Sequence, residues 1–368
     1  VALDIPRGRA QAADGVLLVD KPAGLTSHDV VARIRRLAAT RKVGHAGTLD
    51  PMATGLLVIG IGRATRLLTH VVGADKTYEA TIRLGISTTT DDAEGEALTT
   101  DGARLEDVAG RLPAALESLT GEISQVPSSV SAVKVDGERA YARVRAGEDV
   151  ELAAREVTIH ELVVTGEARD VVVGGLPVVG GPVAGSLASG EPAVGGGANG
   201  SGDGPRGGPG DVPPAGLTGA LPVVDLDVRV RCSSGTYIRA IARDLGDAVG
   251  SGGHLTALRR TEVGPLRVSD AATIEELAIA VADEAGDGVL AVPPAGEVAR
   301  ELFPMREVSE DEARALGYGQ RIEWDESVVD GADEGGVVGA FAPDGALVAL
   351  LTREGLRAKP VLVLRPAS

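Results

Sequence analysis

The chain has 368 residues, of which 43% are hydrophobic, 24% charged and only 2% aromatic. That apolar share excludes disorder throughout and leaves room for two domains, with a core of Val, Leu, Ile and Ala. A single cysteine, Cys232, excludes a disulfide framework and a cysteine-based zinc site. No stretch approaches 18 consecutive apolar residues and no basic-then-apolar leader opens the chain, so no membrane span is expected and the location expected is cytoplasmic. The net charge of −17 argues against a polyanion partner until its distribution is read. Residues 1–70 hold ten Lys or Arg against five Asp, and residues 229–267 hold seven Arg against three acids. Residues 270–368 hold eight basic and twenty acidic side chains, so the acidity is mostly C-terminal and two basic segments stay available.

In chain order, Gly15–Asp20 is a short apolar strand that ends at Lys21-Pro22. Ser27 is the expected N-cap of a helix to about Ala38, with Val30, Val31, Ile34 and Leu37 on one face. Leu56–Gly60 reads as a buried strand, Tyr78–Leu84 as a half-buried one, and Leu105–Leu119 as a capped helix. Residues 166–222 are dominated by Gly, Pro, Ala, Val and Ser, which cost much backbone entropy to order and bury little, so they read as a flexible insertion. Beyond it, Val223–Cys232 alternates with Val224, Leu226, Val228, Val230 and Cys232 on one face, and a Ser-Gly-Thr turn leads into a helix over about Tyr237–Ala248. A second helix near Thr273–Ala285 precedes a tail of short strands from Phe303, with a turn at Pro343-Asp-Gly. The fold class expected is α+β.

The densest polar stretch is Lys42–Gly55, which packs His45, Thr48, Asp50 and Thr54 among three glycines just before a buried strand. Asp50-Pro51 could simply start a turn. A lone carboxylate at a core edge, however, needs a cationic partner or its pKa rises. Arg239, in the first turn of a helix whose neighbours Ile238 and Ile241 are apolar, offers one. Tyr78 is either core filling or a ring available to stack on a base. Asp91, Asp92, Glu94 and Glu96 form an acidic stretch without calcium-loop spacing, read as a solvated turn in preference to a metal site. No dinucleotide fingerprint, Walker lysine, GxSxG or HExxH occurs, so neither a nucleotide cofactor nor a metal is expected. These residues fit a base-modifying RNA enzyme without compelling one.

Six motifs in register carry a resemblance: Leu18–Ser27, Gly44–Gly55, Asp75–Tyr78, Val126–Gly137, Cys232–Arg239 and Gly253–Arg260. Over about residues 14–165 and 223–285 the chain resembles the TruB family of bacterial tRNA pseudouridine synthases. The resemblance implies a pseudouridine-synthase-type mixed or antiparallel sheet with flanking helices, built from residues 1–165 and 223–290. It also implies a small β-rich, PUA-like C-terminal domain over 300–368. It implies isomerisation of the T-loop uridine (position 55) of tRNA, by base flipping and attack of an aspartate, without cofactor. Asp50 would then be the nucleophile, Arg239 its partner, and Tyr78 the residue packed on the target base. His45 would lie beside the flipped nucleotide, Tyr237 and Leu258 would line the pocket, and Lys21 and Lys42 would meet phosphates. The partner implied is the tRNA T-arm, with no guide RNA expected, and a monomer is the default expectation. Two features depart from the family pattern, the 166–222 insertion and the acidic C-terminal section. A guide-RNA-dependent synthase, an RNA-binding protein without turnover, and a metal-dependent hydrolase using Asp91, Asp92, Glu94 and Glu96 are the alternatives.

Overall fold

The computed structural model describes residues 5–128, 134–135, 138–139, 152–174, 220–283, 286–325 and 336–367. One eleven-stranded mixed sheet organises most of the chain. Its strands are β1 (Gly15–Lys21), β2 (Val43–Ala46), β3 (Thr54–Ile61), β4 (Lys76–Leu84), β5 (Gly121–Gln125) and β6 (Arg155–Val164), then β7 (Arg169–Val173), β8 (Leu221–Cys232), β9 (Gly253–Val263), β10 (Leu266–Arg267) and β11 (Ala272–Thr273). The order across the sheet is β11-β1-β3-β9-β4-β8-β6-β5, with β2 on β3, β7 on β8 and β10 on β9. The long central strands β4, β8 and β9 pair antiparallel, and β9 runs parallel to β3 through Arg259–Thr54 and Arg260–Gly55.

Helix α1 (Ser27–Leu37) buries the apolar stripe Val30, Val31, Ile34 and Leu37 against β1 and β3. Its N-cap is Thr26, in a reciprocal capping box with Asp29. Ser27 lies one position inside. It is fully buried, and its hydroxyl both accepts from the Leu49 N–H at 2.9 Å and donates to the Leu49 carbonyl at 3.1 Å. The helix expected over Leu105–Leu119 is two short pieces, Leu105–Val108 and α2 (Leu112–Ser118). Gly110 weakens the middle, and Pro113 cannot donate to residue 109 and clashes with its carbonyl.

Helix α3 (Ile238–Val249) packs Ile238, Ile241, Ala242, Leu245 and Val249 on the core formed by β4, β8 and β9. Residues 169–173 and 221–222, assigned by composition to the insertion, are strand: Arg169–Val173 pairs with Leu221–Asp225. Three consecutive valines favour an extended backbone more than the surrounding glycines disfavour it. Residues 175–219 lie outside the described residues.

After α4 (Ile274–Ala282), helix α5 (Ala295–Leu302) leads to a five-stranded sheet. Its strands are β12 (Met305–Glu307), β13 (Ile322–Glu323), β14 (Val338–Phe341), β15 (Leu347–Glu354) and β16 (Arg357–Val363), with α6 (Glu310–Gly317) against them. Phe341, Leu347, Leu350 and Leu362 share one apolar cluster with Val298 and Ala299 of α5 and with Val16, Leu56 and Val58 of the main sheet. The C-terminal sheet is therefore seated on the opposite face of β1 and β3 from α1.

Candidate active site

The loop between β2 and β3 carries Asp50 and is pinned on both sides. Ser27 holds Leu49, and Pro51 O accepts from the Gly24 N–H at 2.9 Å and from Lys21 Nζ at 3.2 Å. The loop returns into the sheet at Gly55, whose φ is +100° and whose missing Cβ would stand 2.2 Å from the Arg260 carbonyl oxygen, so glycine is required there. Asp50 faces a cavity of about 290 Å³ lined also by Lys76, Tyr78, Tyr237, Arg239, Leu258 and Arg260. The sequence expectation thus brings five residues together: Asp50, Tyr78, Tyr237, Arg239 and Leu258.

Arg239 enters from α3, almost fully buried, and its Nε lies 3.0 Å from Asp50 Oδ2. Its Nη1 donates to the Thr90 carbonyl at 3.0 Å and lies 3.3 Å from Asp92 Oδ2. Burial is the largest influence on Asp50 and raises its pKa above the usual carboxylate range. Arg239 and Lys21 pull it back and Asp92 pushes the same way as burial. Tyr78, on β4, is buried among these groups, and burial raises its hydroxyl pKa against the pull of the adjacent Arg260 guanidinium.

Two expectations land elsewhere, and a third residue, Lys42, stands at the surface away from the cavity. Lys21 is fully buried, with Nζ donating to the carbonyls of Pro22, Leu25 and Pro51 at 3.0, 2.6 and 3.2 Å. It supports the Asp50 loop from beneath and no phosphate can reach it; burial lowers its pKa to about 8. His45, on β2, does not line the cavity: its ring meets His28 edge-on at 5.5 Å, and burial, then His28, lower its pKa. Lys42 is exposed on the loop before β2, outside the cavity lining.

The acidic stretch is not a solvated turn at its start. Asp91 and Asp92 are buried, Asp92 against Arg239 and Asp91 against Arg243 at 3.3 Å. Among the described residues no group of three or more His, Cys, Asp or Glu side chains is placed to hold a metal ion. Sequence reasoning also missed Arg260 and Lys76. Arg260 is fully buried and holds Leu56 O at 2.8 Å and Gly47 O at 3.1 Å, the latter at the start of the Asp50 loop. Strand alternation put Arg260 on the face of Leu258, whereas Arg259 points away to a bidentate pair with Asp20 at 3.0 and 2.7 Å. Lys76 donates to Val72 and Ala74 carbonyls at 2.7 and 2.5 Å, and burial lowers its pKa to about 8.

This geometry can present one carboxylate, electrostatically tethered and open to the cavity, beside a tyrosine ring and an apolar wall. That suits covalent chemistry on a planar, polar ring such as a nucleobase.

Solved structures agree on the fold. The chain superposes on a protein of a Cbf5–Nop10–Gar1 complex with a TM-score of 0.62 at 22% identity, over 96% of this chain and 85% of that one. It superposes on a chain of an H/ACA RNP bound to a substrate RNA containing 2′-deoxyuridine with a TM-score of 0.59 at 20% identity, again over 96% and 85%. Residues 35–173 match the model of the TruB family pseudouridylate synthase N-terminal domain. Residues 239–307 match the tRNA pseudouridylate synthase B C-terminal domain, and 303–365 the C-terminal model of tRNA pseudouridine synthase II. A tRNA pseudouridine synthase B of Arthrobacter sp. (strain FB24) is 51% identical over 96% of this chain and 97% of its own. One from Thermobifida fusca (strain YX) is 50% identical over 95% and 98%. The chain belongs to the TruB family of pseudouridylate synthases. No helix among the described residues is long and apolar enough to cross a membrane.

Proposed function

We propose that this protein isomerises the T-loop uridine of tRNA, position 55, to pseudouridine, with Asp50 as nucleophile and no cofactor. The observation that carries the reading is the Arg239–Asp50 contact at 3.0 Å on the wall of the cavity, in a chain about half identical to enzymes named tRNA pseudouridine synthase B. A uridine stacked in an RNA loop hides its glycosidic bond, so the nucleotide must flip into the cavity, where Tyr78 and Leu258 pack on the ring. Arg239 holds Asp50 ionised and aimed. The carboxylate bonds to the nucleoside, at C1′ of the ribose or C6 of the base, and the N1–C1′ bond breaks. The base turns, C5 joins C1′, the C5 proton leaves to water and N1, no longer bonded to the ribose, takes one up; the carboxylate is released unchanged. Atoms balance as an isomerisation, with no redox equivalent consumed. Lys42 meets tRNA phosphate in this reading, which its exposure before the loop supports. The T-arm itself supplies recognition, with no guide RNA.

Transcripts labelled with tritium at C5 of their uridines test the site. Release from a wild-type tRNA transcript, abolished by replacing the position 55 uridine with cytidine, is the expected result. Release that survives that replacement would show a different target.

A further inference from the structure

Helix α3 carries Arg239 in its first turn, yet the N-cap residue Tyr237 makes no capping hydrogen bond with its own side chain. The end of strand β5 instead grips the backbone of that same residue. Gln125, buried, accepts from the Tyr237 N–H at 2.9 Å and donates to the Tyr237 carbonyl at 3.1 Å. One residue on, the Val126 carbonyl accepts from Arg243 Nη2 at 2.8 Å. Arg243 also donates through Nε to Asp244 Oδ1 at 2.9 Å and places Nη1 3.3 Å from Asp91 Oδ2. Consecutive aspartates of one loop thus meet arginines one helical turn apart, Asp92 with Arg239 and Asp91 with Arg243. The far half of α3 is fixed differently: a Cβ on Gly246 would stand 2.2 Å from the Gly252–Gly253 backbone, so helix and strand β9 touch there. Backbone contact adds to the apolar packing of that half, and the polar brace adds to the packing of Ile238 and Ile241 in the half that bears Arg239.

We propose that Gln125, Arg243 and Asp91 are positioning residues for the Arg239–Asp50 pair. A guanidinium that serves Asp50 at 3.0 Å and Asp92 at 3.3 Å tolerates little displacement, since a shift of about 1 Å away from either carboxylate takes that contact beyond hydrogen-bonding range. Asp91 also holds Arg243, with Nη1 3.3 Å from its Oδ2. Asp91 does so from the left-handed region, at φ +58°, a conformation that Asp and Asn tolerate better than other residues with a Cβ. Its backbone is held by the Thr88 carbonyl and the Leu255 N–H. Only the kinetic half of the test rests on the proposed pseudouridine chemistry.

Asp91→Asn keeps the backbone conformation, Arg243→Gln removes the charge, Arg243→Lys keeps it, and Gln125→Glu sets a carboxylate against the Tyr237 carbonyl. In each variant the 15N–1H signal of Arg239 Nε, assigned by its loss in Arg239→Gln, is followed by NMR beside single-turnover tritium release against pH. The charged groups that act on Asp50 in that titration are Arg239, Asp92 and Lys21. Expected in Asp91→Asn, Arg243→Gln and Gln125→Glu are a displaced or broadened Arg239 signal and a rate lower by about 10- to 100-fold with unchanged KM. Their acid limb moves to higher pH as Arg239 loosens from Asp50. Arg243→Lys recovers part of each effect. An unmoved Arg239 signal overturns the proposal, whether the rate stays within twofold or falls only in step with thermal stability. A wild type that binds tRNA but releases no tritium counts against the proposed chemistry, and the Arg239 signal still decides the brace.

Discussion

Arg239 reaches Asp50 from the interior: the guanidinium side chain is 5% exposed, whereas the carboxylate 3.0 Å away keeps 38% of its side chain open. The cation is locked in the protein and the anion faces the cavity. Such a pair holds a nucleophile ionised without covering the oxygen that must react.

Removing the cation should therefore move the pH profile as well as the rate. Arg239 lowers the Asp50 pKa, so Arg239→Gln leaves burial and Asp92 unopposed except by Lys21, and the pKa rises further. In the proposed chemistry the reactive form is the ionised one, so the acid limb of single-turnover rate moves to higher pH. The rate at neutral pH falls by about 100-fold or more. A rate-pH series on wild type and Arg239→Gln checks both.

Asp92→Asn should shift the limb the other way. Asp92 raises the Asp50 pKa, so neutralising it lowers that pKa and moves the limb to lower pH. The plateau rate still falls, by about tenfold or more, because Arg239 Nη1 loses a partner 3.3 Å away and the guanidinium is less fixed. Opposite limb shifts in the two variants, from the same assay, are the signature of one three-membered network.

Lys21→Met separates a buried support from a phosphate contact. Three carbonyls lose the Nζ donor, and Pro51 O beside Asp50 keeps only the Gly24 N–H, so stability falls by about 1–3 kcal/mol and kcat falls. KM for tRNA and its salt dependence stay as in wild type, in contrast to Lys42→Ala, which weakens binding and reduces the salt slope by about one. The sign for Lys21 also fixes a pH trend. Its folded pKa, about 8, lies below the ordinary 10.5, so the unfolded chain binds more protons between them and this lysine makes stability rise with pH across that window. Lys76 contributes a similar slope, and Lys21→Met removes its own share, measurable by urea unfolding at pH 7.5 to 10.

Residues 175–219 should be removable and the strands beside them should not. Val173 pairs with Leu221 in the sheet, so a short turn can join Gly174 to Ala220. Such a deletion keeps thermal stability and tritium release within about twofold of wild type, whereas deleting 169–222 removes β7 and the start of β8 and destabilises the core.

What was legible in the sequence follows from range. Helix α1, strand β8 and the placement of Asp50 before a buried strand rest on local periodicity and turn chemistry, which a single segment displays. The family resemblance singles out Tyr78 and Arg239, the latter also through its place in a helix's first turn, and the sheet order β3-β9-β4-β8 brings them beside Asp50. Asp91 and Asp92 looked like solvent-facing acids because their partners, Arg239 and Arg243, lie about 150 residues away. For Lys21 the resemblance implies a phosphate ligand, whereas the Asp50 loop, 30 residues on, buries it. Charge type is written in a segment, but whether the charge meets water or a counter-ion is decided by pairing across the sheet.

The most direct measurement follows tritium release from a C5-labelled tRNA transcript with wild type and Asp50→Asn, beside tRNA binding by both. The account predicts release of about one tritium per tRNA by wild type, none above background by Asp50→Asn, and affinities within a few-fold of each other. Release by Asp50→Asn at a rate near that of wild type would contradict the assignment of Asp50 as the nucleophile.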